Sequence, residues 1–193
     1  MLEGGSVRSG DIPIFYLAYA DGTHDGQGYI GNLISNYGTV AGSSSLVREH
    51  FTVSGGNRTV ATASVRVRRT SGSAPLIIRL ETGDGTLIDQ GAVAASSIAQ
   101  SAAGGDNGGS VWATVAFGSS HVLANGQTYN LVMSCADGTE YTAAPLQEGT
   151  TKGLRSFAFT DGQAEKTTNG GSSWGLLYPV PSTAVSDLQF FFQ

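Results

Sequence analysis

Between residues 51 and 135, apolar and polar side chains alternate with a period of two in one short run after another, and the runs are separated by Gly, Asn and Asp. That period sends one side of each run to a core and the other to water, as a strand of antiparallel sheet requires. Phe51 and Val53 lead into Gly55-Gly56-Asn57 and then into residues 59–69, which reads as a hairpin. In its second arm Val65 and Val67 alternate with Arg66 and Arg68, so one face is buried and the other wet. Leu76, Ile78 and Leu80 point one way, Ile77, Arg79 and Glu81 the other, before Gly83-Asp84-Gly85 turns the chain. Val111, Val115 and Phe117 share a phase, as do Tyr129, Leu131, Met133 and Cys135. Further runs lie at residues 12–19, 141–146, 155–159 and 188–192, with Phe190 and Phe192 in phase. No long helical pattern competes, and the spacing of the Asp-Gly pairs is too irregular for a propeller or solenoid repeat. The expected fold is all-β: an antiparallel two-sheet β-sandwich of jelly-roll type.

A chain of 193 residues suffices for one large sandwich core. Residues 1–10 read as a linker-like start and 11–193 as one domain, with the small, Gly-rich stretch 99–110 as a surface loop. Met1-Leu2-Glu3-Gly4-Gly5-Ser6 has neither the basic nor the apolar region of a signal peptide, which suggests a module cut from a longer secreted polypeptide. A charged fraction of 13% on a surface rich in Ser, Thr, Asn and Gln points to an extracellular setting. The net charge of −5, with only two lysines, argues against nucleic acid as partner. No apolar stretch approaches the roughly 20 residues that cross a bilayer, so no membrane partner is expected. One cysteine, Cys135, allows no intrachain disulfide, and it reads as a small buried hydrophobe.

Catalytic signatures are thin. His24, His50 and His121 are scattered without zinc spacing and read as surface or satisfied structural residues. Gly171-Ser172-Ser173-Trp174-Gly175 fits the Gly-x-Ser-x-Gly pattern of a serine-hydrolase elbow. That elbow needs a strand before it and a helix after it, whereas Asn169-Gly170 precedes and Pro179 and Pro181 follow, so a Gly-Ser loop is expected. Glu140, Glu148, Asp161 and Glu165 are carboxylates from which a glycosidase pair would be drawn. A small jelly-roll polysaccharide lyase has this size and class, but the dense Arg-Glu and Gln-x-His strand signatures of that group are missing.

Binding residues are easier to nominate. Sugar rings offer apolar C–H faces rimmed by hydroxyls, so their sites combine exposed aromatics with planar polar groups. Asp161, Gln163, Glu165 and Lys166 precede Asn169-Gly170-Gly171, after which Trp174 and Tyr178 emerge from a loop. Trp174 is the leading stacking residue, whereas Trp112, among apolar neighbours, reads as core or inter-sheet packing. A second cluster, with His24 and Tyr29, surrounds the first Asp-Gly turn. No cofactor is required, although Asp21, Asp25 and Asp187 are candidate ligands for a structural calcium ion. Arg66, Arg68 and Arg79 are expected on outward phases of adjacent strands, as a solvated face partnered by Glu81 or as a grip for an anionic polysaccharide.

Phe51-Thr52-Val53-Ser54, Val65-Arg66-Val67-Arg68-Arg69, Pro75-Leu76-Ile77-Ile78-Arg79-Leu80 and Gly126-Gln127-Thr128-Tyr129-Asn130-Leu131 together look like accessory β-sandwich modules of large secreted bacterial proteins. Thr167 to Trp174 and Asp187-Leu188-Gln189-Phe190 add to the likeness, which spans residues 50–193. Such modules accompany polysaccharide-degrading enzymes and resemble carbohydrate-binding modules of jelly-roll type. The resemblance implies a non-catalytic module that brings a larger secreted enzyme to a polysaccharide, neutral or anionic. A structural or adhesion module of a cell-surface or phage-tail protein is the alternative, and a small polysaccharide lyase the third reading.

Overall fold

Period-two alternation at residues 59–69, 76–81, 111–117 and 128–134 emerges as strands in the computed structural model, which describes residues 17–18, 24–25, 38–100, 110–143, 145–147, 162–177, 186–188 and 190–192; the expected run at 155–159, residues 12–16 of the first run and residues 101–109 of the Gly-rich loop lie outside them. In chain order the described strands are β1 (Leu17–Ala18), β2 (His24–Asp25), β3 (Gly38–Ala41), β4 (Leu46–Thr52), β5 (Arg58–Ser71), β6 (Leu76–Thr82), β7 (Leu87–Val93), β8 (Val111–Leu123), β9 (Thr128–Ser134), β10 (Glu140–Ala143), β11 (Pro145–Gln147), β12 (Gly162–Thr167), β13 (Gly175–Leu176), β14 (Ser186–Leu188) and β15 (Phe190–Phe192). Among the described residues the one helical piece is a 3-10 turn at Ala95–Ser97, and no helix is long and apolar enough to cross a membrane.

Two antiparallel sheets form the sandwich. One has six strands in the order β13-β12-β4-β9-β6-β7. In the other, β5 pairs with β8 along one edge and with β15 and β10 along the opposite edge, and β10 then pairs with β3. Between β3 and β10 the chain changes sheet at every connection except the β6–β7 hairpin, the wrapping expected of a jelly roll. Two further short pairs, β1–β2 and β11–β14, complete the described strands.

The core lies between the sheets and is built from the phases that the sequence marks as apolar. Leu76, Ile78 and Leu80 from β6, Leu131 and Met133 from β9, and Val65 and Val67 from β5 are buried, with Tyr141 from β10 among them. Phe192 stacks near Phe51 at 5.5 Å between ring centroids, so the last strand closes onto the core. Glu49, between Val47 and Phe51, also occupies the inward phase and is fully buried. Cys135 is buried as expected, its thiol donating to the Thr139 carbonyl at 3.1 Å, and burial pushes its pKa up, away from reactivity.

Four expectations are corrected. Residues 51–53 and 59–69 are not arms of one hairpin: β4 pairs with β12 and β9, whereas β5 belongs to the other sheet. The Val53 N–H donates to the Gln127 carbonyl and its own carbonyl accepts from Gly126, which commits this segment to the β8–β9 turn. The arginines form no single stripe, because Arg66 and Arg68 lie on β5 and Arg79 on β6, in opposite sheets. Nor is the β5 face wet, since Arg66 and Arg68 are only 8% and 5% exposed. Trp112 is not core: it pairs with Arg66 on the outward phase of β8 and is 44% exposed.

At the β7–β8 margin the two sheets are tied by a carboxylate. Asp89 accepts from His121 Nε2 at 2.7 Å and from the Gly118 N–H at 2.9 Å, and its other oxygen accepts from the Gln90 N–H. The His121 bond, followed by those backbone bonds, holds the Asp89 carboxyl below the usual aspartate range. A depressed folded-state pKa contributes stability above the unfolded value, about 3.9, that disappears as pH falls through the folded one. Chemical denaturation followed from pH 7 to pH 2 is therefore expected to show stability falling below about pH 4, less steeply in Asp89→Asn. Equal slopes in the two proteins would mean that this clamp does not form.

Candidate functional site

The outward phase of the six-stranded sheet collects polar side chains from segments far apart in sequence. Register places Gln163, His50, Asn130 and Glu81 side by side on β12, β4, β9 and β6. Two residues along each strand, a second row runs Leu176, Glu165, Arg48, Val132, Arg79 and Gln90, crossing all six strands. Because the inward neighbours are core residues, the side-chain alternation leaves these rows no choice of face.

Hydrogen bonds lock the rows. Arg48 reaches one oxygen of Glu165 with both Nε and Nη2, each at 2.6 Å, while Gln163 Nε2 donates to the other carboxylate oxygen at 2.7 Å. The Arg48 and Glu165 side chains are 13% and 11% exposed, so the pair keeps limited contact with solvent. His50 Nδ1 lies 2.7 Å from Asn130 Oδ1, and Asn130 Nδ2 donates to the Thr82 carbonyl at 2.7 Å. On β6, Arg79 Nε is 3.0 Å from Glu81 Oε1. Burial pushes the Glu81 carboxyl above the usual range, against the opposing pull of Arg79 and Arg48.

Trp174 stands at one margin of this face, with the Arg48 guanidinium 4.2 Å from its ring centroid. A cation–π contact of this kind is worth about 0.5–2 kcal/mol, depending on how far it is desolvated. The loop that delivers the indole is tied by its own side chains. Asn169 Oδ1 accepts from Thr167 Oγ1 and from the Ser173 N–H, its Nδ2 donates to Ser173 Oγ, and the Gly170 N–H donates to the Ser44 carbonyl. Gly170 and Gly171 have φ of +70° and +92°, which glycine adopts without a Cβ penalty. A Cβ on Gly171 would lie 3.6 Å from the indole, an ordinary van der Waals contact, so it is the positive φ and not the ring that calls for glycine there. Ser173 is therefore part of a hydrogen-bonded loop between β12 and β13, followed by strand, and the geometry of a nucleophile elbow is absent at this position.

Of the residues nominated from sequence, Gln163 and Trp174 come together here, joined by Arg48, His50, Asn130 and Glu81, which the sequence reading did not group with them. The missing signal is long range: Arg48 and Glu165 are 117 residues apart. Lys166 is exposed but pairs with Val47, on the opposite side of β12 from Gln163 and Glu165. Asp21, Tyr29, Asp161 and Tyr178 lie outside the described residues. His24 and Asp25 form β2 and Asp187 lies in β14, where only the backbone is described. Among the described residues no group of three or more His, Cys, Asp or Glu side chains is placed to share a metal ion. Compared with protein-family models, with curated proteins and with solved structures, the chain finds no match in any of the three.

Proposed function

We propose that this chain is a non-catalytic carbohydrate-binding module that brings a larger secreted enzyme to a polysaccharide through the outer face of its six-stranded sheet. The observation that carries the reading is Trp174, held over Arg48 at the margin of two rows of polar side chains. An indole supplies the apolar platform for a sugar ring, and the half-buried His50 and Gln163 supply planar donors and acceptors for its hydroxyls, with the fully buried Asn130 fixing the His50 ring. The adhesion alternative needs a continuous apolar patch. Among the described residues the exposed large apolar side chains are scattered, Leu87 and Leu176 at opposite edges of the six-stranded sheet and Trp112 and Val122 near opposite ends of β8, which favours the glycan reading.

Affinity electrophoresis through gels containing different polysaccharides tests this. The folded protein is expected to be retarded by at least one glycan, and Trp174→Ala, checked by circular dichroism, to lose about tenfold in affinity. Failure of the folded wild type to bind any glycan in a broad panel would remove the proposal.

One observation favours a second reading, a polysaccharide lyase: His50, Arg48, Arg79 and Gln163 share this face. Lyase action on uronate polymers creates a conjugated double bond, so a rise in ultraviolet absorbance on incubation would select it over simple binding.

A further inference from the structure

The charge arrangement of the same face points to a class of glycan, and this step rests on the binding function proposed above. Among the described residues of the two rows, the two arginines are matched by two glutamates. Each arginine already stands beside a carboxylate: Arg48 hydrogen-bonds Glu165 at 2.6 Å, and Arg79 Nε is 3.0 Å from Glu81 in an ion pair whose geometry makes no hydrogen bond. A uronate or sulfate at either arginine would have to displace the glutamate, leaving it unneutralised in a part-buried position, or sit beside it as a second anion, and both are costly. Glu81 sharpens the point, because burial already disfavours its negative charge and a further anion beside it adds like-charge repulsion. Lys166, an exposed cation nearby, lies on the other side of β12. The net charge of −5 gives no long-range attraction for a polyanion.

A hydroxyl, by contrast, both donates and accepts. Asn130 and Val132 at the centre of the face are fully buried, but His50, Gln163, Arg79 and Gln90 keep contact with solvent, and their N–H groups and amide oxygens can meet sugar hydroxyls without displacing a charge. We infer that this face selects uncharged polysaccharide chains and rejects uronate and sulfated ones.

The test uses the whole chain in affinity gels and isothermal titration with three sets of polymers: uncharged glucans, xylans and mannans, then polygalacturonate and alginate, then a sulfated galactan. Binding to an uncharged polymer is expected, with affinity changing less than about twofold between low and physiological salt. Binding only to uronate or sulfated chains, weakening as salt rises, would overturn the inference and leave the binding function standing. Binding to none of the three would overturn both. The double variant Glu81→Gln, Glu165→Gln, verified as folded, frees both arginines and is expected to gain about fivefold or more in affinity for polygalacturonate. Unchanged rejection of polygalacturonate by that variant would show that the glutamates do not set the selection.

Discussion

Replacing Gly72 by alanine will cost the fold about 3 kcal/mol or more, read as a fall of roughly 6–12 °C in melting temperature. Gly72 has φ of +74°, and an added Cβ would meet the Gly138 carbonyl oxygen and the Thr139 Cα, each at 2.5 Å. Those are backbone atoms of a turn that is itself fixed. Thr139 Oγ1 accepts from the Ala74 N–H at 3.0 Å, and Arg69 Nη1 donates to the Gly72 carbonyl at 2.5 Å. Neither chain can move aside without breaking one of these bonds. Gly126→Ala separates the clash from the φ penalty, because Gly126 has φ of +78° and open space where its Cβ would go. That control should lose only about 1 kcal/mol. Equal losses at the two positions would mean that the β5–β6 connection does not press on the β9–β10 turn.

Leu131→Ala is the second large effect, with an expected loss of about 2–5 kcal/mol in denaturant unfolding. Leu131 is fully buried on β9, between Glu49 of β4 and Leu80 of β6. Truncation removes apolar contacts and leaves a cavity that the hydrogen-bonded strands on either side cannot collapse into. Val122→Ala on β8, where the side chain is 62% exposed, is the comparison and should cost less than about 1 kcal/mol. A similar shift for both would place Leu131 outside the core. Because Asn130 and Val132 flank Leu131 on the outward phase, a loosened β9 is also expected to disturb the proposed binding face.

The residues of β6 and β9 show how much could be read without coordinates. Leu76, Ile78 and Leu80, and Tyr129, Leu131 and Met133, sit on the core as their alternation predicts, and Gly83-Asp84-Gly85 makes the expected hairpin. These features are local. The phase of a strand depends on its own side chains, and a tight turn on its own glycines and hydroxyls: Thr82 Oγ1 bonds Asp84 there. Partner choice is a different matter. The glycines at 55 and 56 mark a turn, but nothing in them says whether the next strand folds back beside β4 or crosses to the other sheet. Main-chain hydrogen bonds carry no sequence label, so the crossing is decided by where the whole set of apolar faces can be buried together.

The same division separates the two ends of the candidate site. Trp174 was legible because an aromatic in a Gly- and Ser-rich loop has little local reason to be buried. Its environment was not, since Arg48 meets it only after β12 pairs with β4. Alternation likewise identified Arg66, Arg68 and Arg79 as outward residues, but only the assembled sheets put the first two on one side of the sandwich and the third on the other. By itself, then, the sequence determined the positions and core-facing phase of the clearest strands, β5, β6, β8 and β9, and the loop that carries the tryptophan, because period-two patterning and turn chemistry act within a few residues. The tertiary structure alone decided which strands are neighbours and therefore which charges meet, because that depends on contacts between segments as far apart as Arg48 and Glu165.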